Sequence, residues 1–395
     1  MGLVVHNDKI ENKEEFIKVC PFGAMEVQNG DVIINSACKM CKVCVRKSKH
    51  GEVEFVEEKL PTVDKSKWSG ITVYVDHENG KIHPVTLELI GKARELAKKV
   101  NQPVYCVFFG SGIEKQANEL LHYGVDSVFV YDDPALRSFQ NESYTAAFED
   151  FVNRNHPCAI LVGATPVGRQ LAPRVAARFR TGLTADCTIL DIDKNTDLIQ
   201  IRPAFGGNIM AQICTPRTRP QMATVRYKVM NAPARTEETT GRVVDCKIDA
   251  EKLRTHVQVL DVKPKQKVAS IENAEVLVAA GRGIKSKEDL AMVQELADLL
   301  GGELACTRPL VESGWVEARR QVGLSGRTVR PKLIITCGIS GAVQFSAGMK
   351  SAETIVSINS DEKAPIFNVA HIGLVGDVYE IIPQLIKQLK QGKEA

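Results

Sequence analysis

The chain is 395 residues long, room for two or three domains with sizeable cores and too much for a peptide ligand or a disulfide-stapled miniprotein. Its 44% hydrophobic and 25% charged residues are the balance of a folded globular protein, not of a disordered one. Lys and Arg number 51 against 48 Asp and Glu, and a net charge of +3 makes no case for a dedicated nucleic-acid binder.

The first 44 residues hold four of the eleven cysteines: Cys20, Cys38, Cys41 and Cys44. The C-x-x-C-x-x-C run from Cys38 to Cys44 lets one short loop present successive thiolates to different irons, and Cys20-Pro21 has the form of the fourth ligand in bacterial ferredoxins. The set predicts one [4Fe-4S] cluster. Ser48-Lys49 stands where a second cluster would need its Cys-Pro, and no cysteine triplet precedes Cys20. Zinc also accepts four thiolates, although paired C-x-x-C motifs suit it better, so a zinc-stapled module is the alternative. Lys39, Lys42, Arg46, Lys47 and Lys49 surround the triplet without an acid and favour an anionic cluster.

Val53 to Lys67 is charged, contains Pro61 and reads as a linker. Beyond it strand and helix patterns alternate: strands at Ile71–Val75, Pro103–Phe109, Ser127–Tyr131 and Ala159–Val162, helices at Glu114–Tyr123, Tyr144–Asn153 and, despite Pro173, Pro166–Arg180. That order predicts a parallel, doubly wound sheet. Cys187 to Tyr227, rich in β-branched and turn residues, suggests strands at a sheet edge or in a hairpin extension. After a second boundary in Asp245–Ser270 comes another α/β unit, with strands Glu275–Ala280, Leu333–Thr336 and Thr354–Ile358 and helices Ser286–Leu300 and Val378–Leu389. Ser286 with Asp289 forms a capping pair, and Gly301-Gly302 ends the helix. Cys106, Cys158, Cys306 and Cys337 lie in or beside apolar runs and are expected in cores.

The last unit carries two turns suited to phosphates. Gly281-Arg282-Gly283 follows a strand, with Ser286 where a third glycine of G-x-G-x-x-G would stand. Gly338 to Gln344 leaves a strand and enters a helix, so its backbone N–H groups could hold a pyrophosphate. No nucleophile and base are paired in the sequence, the eight histidines are scattered, and no catalytic residue is assigned. No apolar run approaches the roughly 18 residues of a bilayer span, and Asp8 and Glu11 interrupt any export signal. A cytoplasmic protein without a membrane span is expected.

Several motifs together, Gly163–Arg169 (GATPVGR), Thr181–Asp186 (TGLTAD), Arg202–Asn208 (RPAFGGN), Gly281–Gly283 and Ser340–Gln344 (SGAVQ), make residues 67–391 resemble the α subunit of electron-transfer flavoproteins. The resemblance implies two doubly wound Rossmann-like α/β units, at 67–254 and 271–395, preceded by a small α+β ferredoxin-like domain at 1–60. It implies FAD in the last unit, with Arg282 at the pyrophosphate, Thr307 and Arg308 beside the ring, and Val322, Gly323, Leu324 and Ser325 as ring contacts. Ser340, Gly341, Ala342, Val343, Gln344 and Phe345 would wrap the phosphates and ring edge, and Asn359, Asp377 and Val378 would hold the adenosine end. Phe345 stands where family members often carry histidine, and a hydrocarbon ring cannot donate to negative charge at the flavin edge. The implied partners are a β subunit whose flavin oxidises NADH, a dehydrogenase acting on an acyl-CoA or a hydroxy acid, and ferredoxin. Flavin-based electron bifurcation is the leading expectation. The alternative is a non-bifurcating carrier whose N-terminal module only docks or wires ferredoxin, or is a structural zinc module.

Overall fold

A computed structural model describes residues 2–56, 62–204, 209–263 and 270–394. Pro61, Phe205–Asn208 of the RPAFGGN motif, and Pro264-Lys265 in the second expected boundary lie outside the described residues. The chain divides into two compact units, Met1–Thr62 and Val63–Ala395.

In the first unit the strands Gly2–Val5 and Val53–Val56 pair antiparallel, Leu3 opposite Phe55. A hairpin joins Met25–Gln28 to Asp31–Ile34 through Asn29-Gly30, both at positive φ as a tight primed turn requires. Two short helices, Lys13–Phe16 and Val43–Lys47, complete it, and the Asn12 side chain caps the first by accepting the Glu15 N–H at 3.1 Å. Its core is small: Ile10, Met25, Val32, Cys44 and Val53.

The second unit contains two all-parallel sheets. The larger has seven strands in the spatial order Leu183–Cys187, Gln221–Val225, Ala159–Gly163, Ile71–Tyr74, Val104–Gly110, Ser127–Asp132 and Arg242–Asp245. Parallel sheets are covered on both faces, so the central strands Ala159–Gly163, Ile71–Tyr74 and Val104–Gly110 are largely apolar runs. One face packs under Pro84–Val100 through Val85, Leu89, Ile90 and Leu96, the other under Asn141–Asn155 and Pro166–Arg178 through Phe148, Phe151, Leu171 and Val175. The Cys187–Tyr227 segment divides. Ile189–Ile192, Leu198–Ala204 and Ile209–Ile213 form a separate antiparallel sheet, as a hairpin extension would, but Gln221–Val225 is interior to the large sheet, fully buried between two neighbours. Pro173 is tolerated inside its helix because it faces solvent, where water can satisfy the carbonyl left without an N–H.

The smaller sheet has five strands in the order Glu303–Cys306, Val276–Ala280, Leu333–Cys337, Thr354–Asn359 and Ile372–Val375. In chain order this is 2-1-3-4-5, which places the topological switch point at the carboxyl ends of the first and third strands, where ligands of such sheets bind. The helix expected from Ser286 begins at Leu290, because residues 287–292 first make a tighter turn with i to i+3 hydrogen bonds. The capping pair is nonetheless reciprocal: the Asp289 N–H donates to Ser286 Oγ at 3.3 Å and the Ser286 N–H to Asp289 Oδ2 at 3.1 Å. Gly301, at φ +65°, ends the helix. Cys106, Cys158, Cys306 and Cys337 are fully buried, and burial pushes all four thiols up. Among the described residues no helix is long and apolar enough to cross a membrane.

Candidate functional site

At the switch point of the five-stranded sheet lies a cavity of about 990 Å³, at the upper end of the range for small-molecule and cofactor sites. Its floor exists because one glycine in each of two turns carries no side chain. Gly283 and Gly338 lie back to back, and a Cβ on Gly283 would sit 2.5 Å from the Gly338 Cα. The Gly283 N–H donates to the Gly338 carbonyl at 2.9 Å, and Gly338 itself adopts φ +63°. Only glycines permit this approach.

The wall beyond Cys337 is the turn Gly338–Ala342. Ser340, Ala342 and Gln344 line the cavity, and the backbone N–H groups of residues 340–344 donate to nothing among the described residues. Such a run of free donors can bind an anion. Arg282, Lys285 and Arg308 bring positive charge to its lining and Asp377 negative charge. The Arg308 guanidinium is held by Glu312 at 2.8 Å, one turn along its helix. Lys285 lies 4.8 Å over the Tyr379 ring.

A further rim is the irregular segment Val322–Ser325. Its register is fixed by the Leu324 N–H donating to the Gln344 carbonyl at 2.9 Å, and by Gly323 at φ +136°, where a Cβ would approach that same carbonyl to 2.8 Å. The Gln321 amide donates to Ser325 Oγ at 2.9 Å, which leaves the hydroxyl proton available to the cavity. Arg226, paired with Asp186 at 3.5 Å, donates to the Leu324 carbonyl at 2.9 Å and so ties this rim to the seven-stranded sheet.

Of the residues singled out from the sequence, Arg282, Thr307, Arg308, Val322, Gly323, Leu324, Ser325, Ser340, Ala342, Gln344, Phe345, Asn359, Asp377 and Val378 line this one cavity. Gly341 and Val343 do not. Gly341, at φ +87°, turns the chain beneath Ile366, whose nitrogen a Cβ would meet at 2.2 Å, and Val343 is half exposed to solvent. Asn359 lines the cavity with both amide atoms already committed, Nδ2 to the Ile339 carbonyl at 2.8 Å and Oδ1 to the Asp361 N–H at 2.9 Å. Phe345 serves the cavity wall and the apolar core together. Lys285, Pro309, Gln321 and Ser360 also line it and were not singled out. Gln321, four residues before Ser325, shows itself only through the hydrogen bond.

The corresponding crevice of the seven-stranded sheet, at the ends of Ile71–Tyr74 and Ala159–Gly163, is closed by its own residues. The buried Thr165 hydroxyl donates to the Asp76 carboxylate, and Gly168 is pressed against the Gly163 carbonyl so closely that a Cβ would fall 1.9 Å from it. The GATPVGR motif therefore serves strand-to-helix packing.

In the first unit Cys20, Cys38, Cys41 and Cys44 line a single small cavity with Pro21, Phe22, Lys39 and Lys42. Met40 and Lys42 adopt left-handed conformations, φ +53° and +59°, which coil the loop around it. The Ala24 N–H points at Cys20 Sγ at 3.3 Å and the Met40 N–H at Cys38 Sγ at 3.4 Å, the kind of donor that tunes metal-bound sulfur. Burial pushes the Cys44 thiol up, and Cys38 and Cys20 add to it from close by. Among the described residues no three His, Cys, Asp or Glu side chains stand close enough to hold a metal ion. Four thiols about one cavity, two of them met by backbone N–H donors, are the donor set that a cubane or a zinc ion would take.

Ser48, where a second cluster would need cysteine, has a structural task. Its hydroxyl donates to Glu52 at 2.5 Å and accepts the Val53 N–H at 3.0 Å. The Ser48 hydroxyl and the backbone N–H groups around it hold the Glu52 carboxyl down at about 2.

Residues 71–251 match the family described as Electron transfer flavoprotein domain, and residues 270–350 the Electron transfer flavoprotein FAD-binding domain. The lactate dehydrogenase (NAD(+),ferredoxin) subunit LctC of Acetobacterium woodii is 55% identical over 388 residues, 98% of this chain and 93% of its own. The electron transfer flavoprotein subunit alpha of Thermoanaerobacterium thermosaccharolyticum is 43% identical, over 82% of this chain and 99% of its own. That of Megasphaera elsdenii is 42% identical, over 84% and 99%.

Proposed function

The chain belongs to the electron transfer flavoprotein α-subunit family, and from that premise we propose that it is the α subunit of an electron-bifurcating complex, holding FAD in residues 271–395 and one [4Fe-4S] cluster in a ferredoxin-like domain at 1–60. Residues 67–254 pair with a β subunit that oxidises NADH. A flavin exchanges one or two electrons and a cluster one at a time, so the two electrons that leave NADH can part, one ending on ferredoxin and one on a partner dehydrogenase.

The chain's own residues do the holding. The free N–H groups of Ser340, Ala342 and Gln344 and the Arg282 guanidinium take the pyrophosphate, Thr307, Arg308 and Ser325 face the ring, and Asp377 with Val378 closes the adenosine end. Cys20, Cys38, Cys41 and Cys44 hold the cluster.

One observation carries the ferredoxin part. Both matched families begin at or after residue 71, and relatives named only as α subunits span 82–84% of the chain, whereas the relative named for NAD+ and ferredoxin spans 98%. That relative's name also favours a hydroxy-acid dehydrogenase as partner over an acyl-CoA one. The test is NADH-dependent reduction of ferredoxin by the reconstituted complex. The proposal expects reduction only while the dehydrogenase's own substrate is turning over. Reduction indifferent to that substrate would establish a non-bifurcating carrier instead.

A further inference from the structure

Residues 2–56 hold eight cations and eight acids, but their distribution is uneven: the stretch 32–51 carries five cations and no acid. Among the described residues none of the five is ion-paired to a carboxylate. Two of them, Lys39 and Lys42, line the four-thiol cavity, and the Arg46 guanidinium lies 3.5 Å from the Cys41 carbonyl oxygen. The Lys42 amine is fixed 3.4 Å above the Phe55 ring. Beside these cations the surface carries exposed apolar side chains. Phe22 is 51% and Met40 42% exposed, and Cys41 is the exposed thiol of the four, whereas Cys44 is buried.

Exposed apolar side chains, cations without paired acids and an exposed thiol at the mouth of one cavity together suit a transient docking face, in which the charges steer and orient and the apolar side chains make contact. We propose that the mouth of the four-thiol cavity is where a small acidic electron carrier of the two-cluster ferredoxin class docks, with Lys39, Lys42 and Arg46 meeting its carboxylates and Phe22 and Met40 packing beside Cys41. This rests on the cluster reading above and adds the surface through which the cluster meets its partner. Positive charge unbalanced by acid selects an acidic protein, and the exposed apolar side chains distinguish it from a generic polyanion.

The test couples the intact holoprotein to a bacterial two-cluster ferredoxin with a carbodiimide, which joins carboxylates to amines in direct contact. Crosslinks are expected at Lys39, Lys42, Lys47 or Lys49. Crosslinks confined to Lys9, Lys13 and Lys18, or to lysines of residues 63–395, would overturn the assignment, as would equal competition by heparin or DNA. The double variant Lys39→Gln, Arg46→Gln should raise the KM for ferredoxin about tenfold at low ionic strength, the gap closing as salt shortens the screening length to about 8 Å. Glu14→Gln with Glu15→Gln should leave that KM unchanged. Sulfide analysis of the same preparation separates this proposal from the one it rests on. Crosslinks at these lysines in a protein without sulfide leave the docking face standing and refute the cluster, and sulfide with crosslinks elsewhere does the reverse.

Discussion

Glu88 offers a quantitative check on the packing of the seven-stranded part. It lies on the helix Pro84–Val100, 7% exposed, and accepts the Lys228 N–H at 3.0 and 3.3 Å. Burial pushes its carboxyl up to about 7, against the Lys228 and Met230 N–H groups and the charges of Lys228 and Arg330, which pull it down. Below the unfolded value of 4.5 both states hold the proton; between 4.5 and about 7 the folded state keeps it and the unfolded state has lost it. Stability must therefore fall as pH rises through that window and level off above it. At about 1.4 kcal/mol for each unit of pKa the total reaches about 3 kcal/mol. Glu88→Gln removes the proton and keeps an acceptor for the Lys228 N–H. Urea unfolding at constant ionic strength, followed by Trp68, which packs on this core, in a Trp315→Phe background, should show the stability difference between variant and parent shifting by about 2.5 kcal/mol in the variant's favour from pH 5 to pH 8. A difference that does not change with pH would refute the reasoning.

Gly283→Ala places a Cβ 2.5 Å from the Gly338 Cα, so the cavity floor must shift; the FAD content of the purified protein should fall sharply while far-ultraviolet dichroism is unchanged, and full FAD content would count against the assigned floor. Cys41→Ser should lose sulfide and iron while FAD stays, since the thiols and the larger cavity belong to separate units. Because Ser48 and nearby N–H groups hold Glu52 at about 2, its contribution is complete above 4.5 and is lost as pH falls towards 2. Ser48→Ala should lower the first unit's stability at neutral pH and flatten its acid dependence, which hydrogen exchange of residues 2–56 can follow.

What the sequence makes legible follows from burial. The strands Val276–Ala280, Leu333–Cys337 and Thr354–Asn359 are runs of apolar residues because both faces of a parallel sheet are covered, and their expected bounds lie within a residue of those observed. Glu303–Cys306, Ile372–Val375 and Arg242–Asp245 are edge strands of four residues each and carry no comparable signal. The 17-residue helix Pro84–Val100 was not among the expected elements. It starts after His83, whose ring Nδ1 accepts the Val85 N–H in place of a serine or aspartate cap, and Thr86 and Glu88 are buried among its apolar positions. In the larger cavity the glycines of both turns stand out in the sequence. Their mutual contact does not, since it depends on the parallel register that sets Ala280 beside Cys337.

Iron, acid-labile sulfide and FAD in the anaerobically purified chain with its β subunit test the account most directly. The account predicts iron and sulfide in equal, cubane proportions together with bound FAD. Zinc without sulfide, or a protein that holds no FAD, would contradict it.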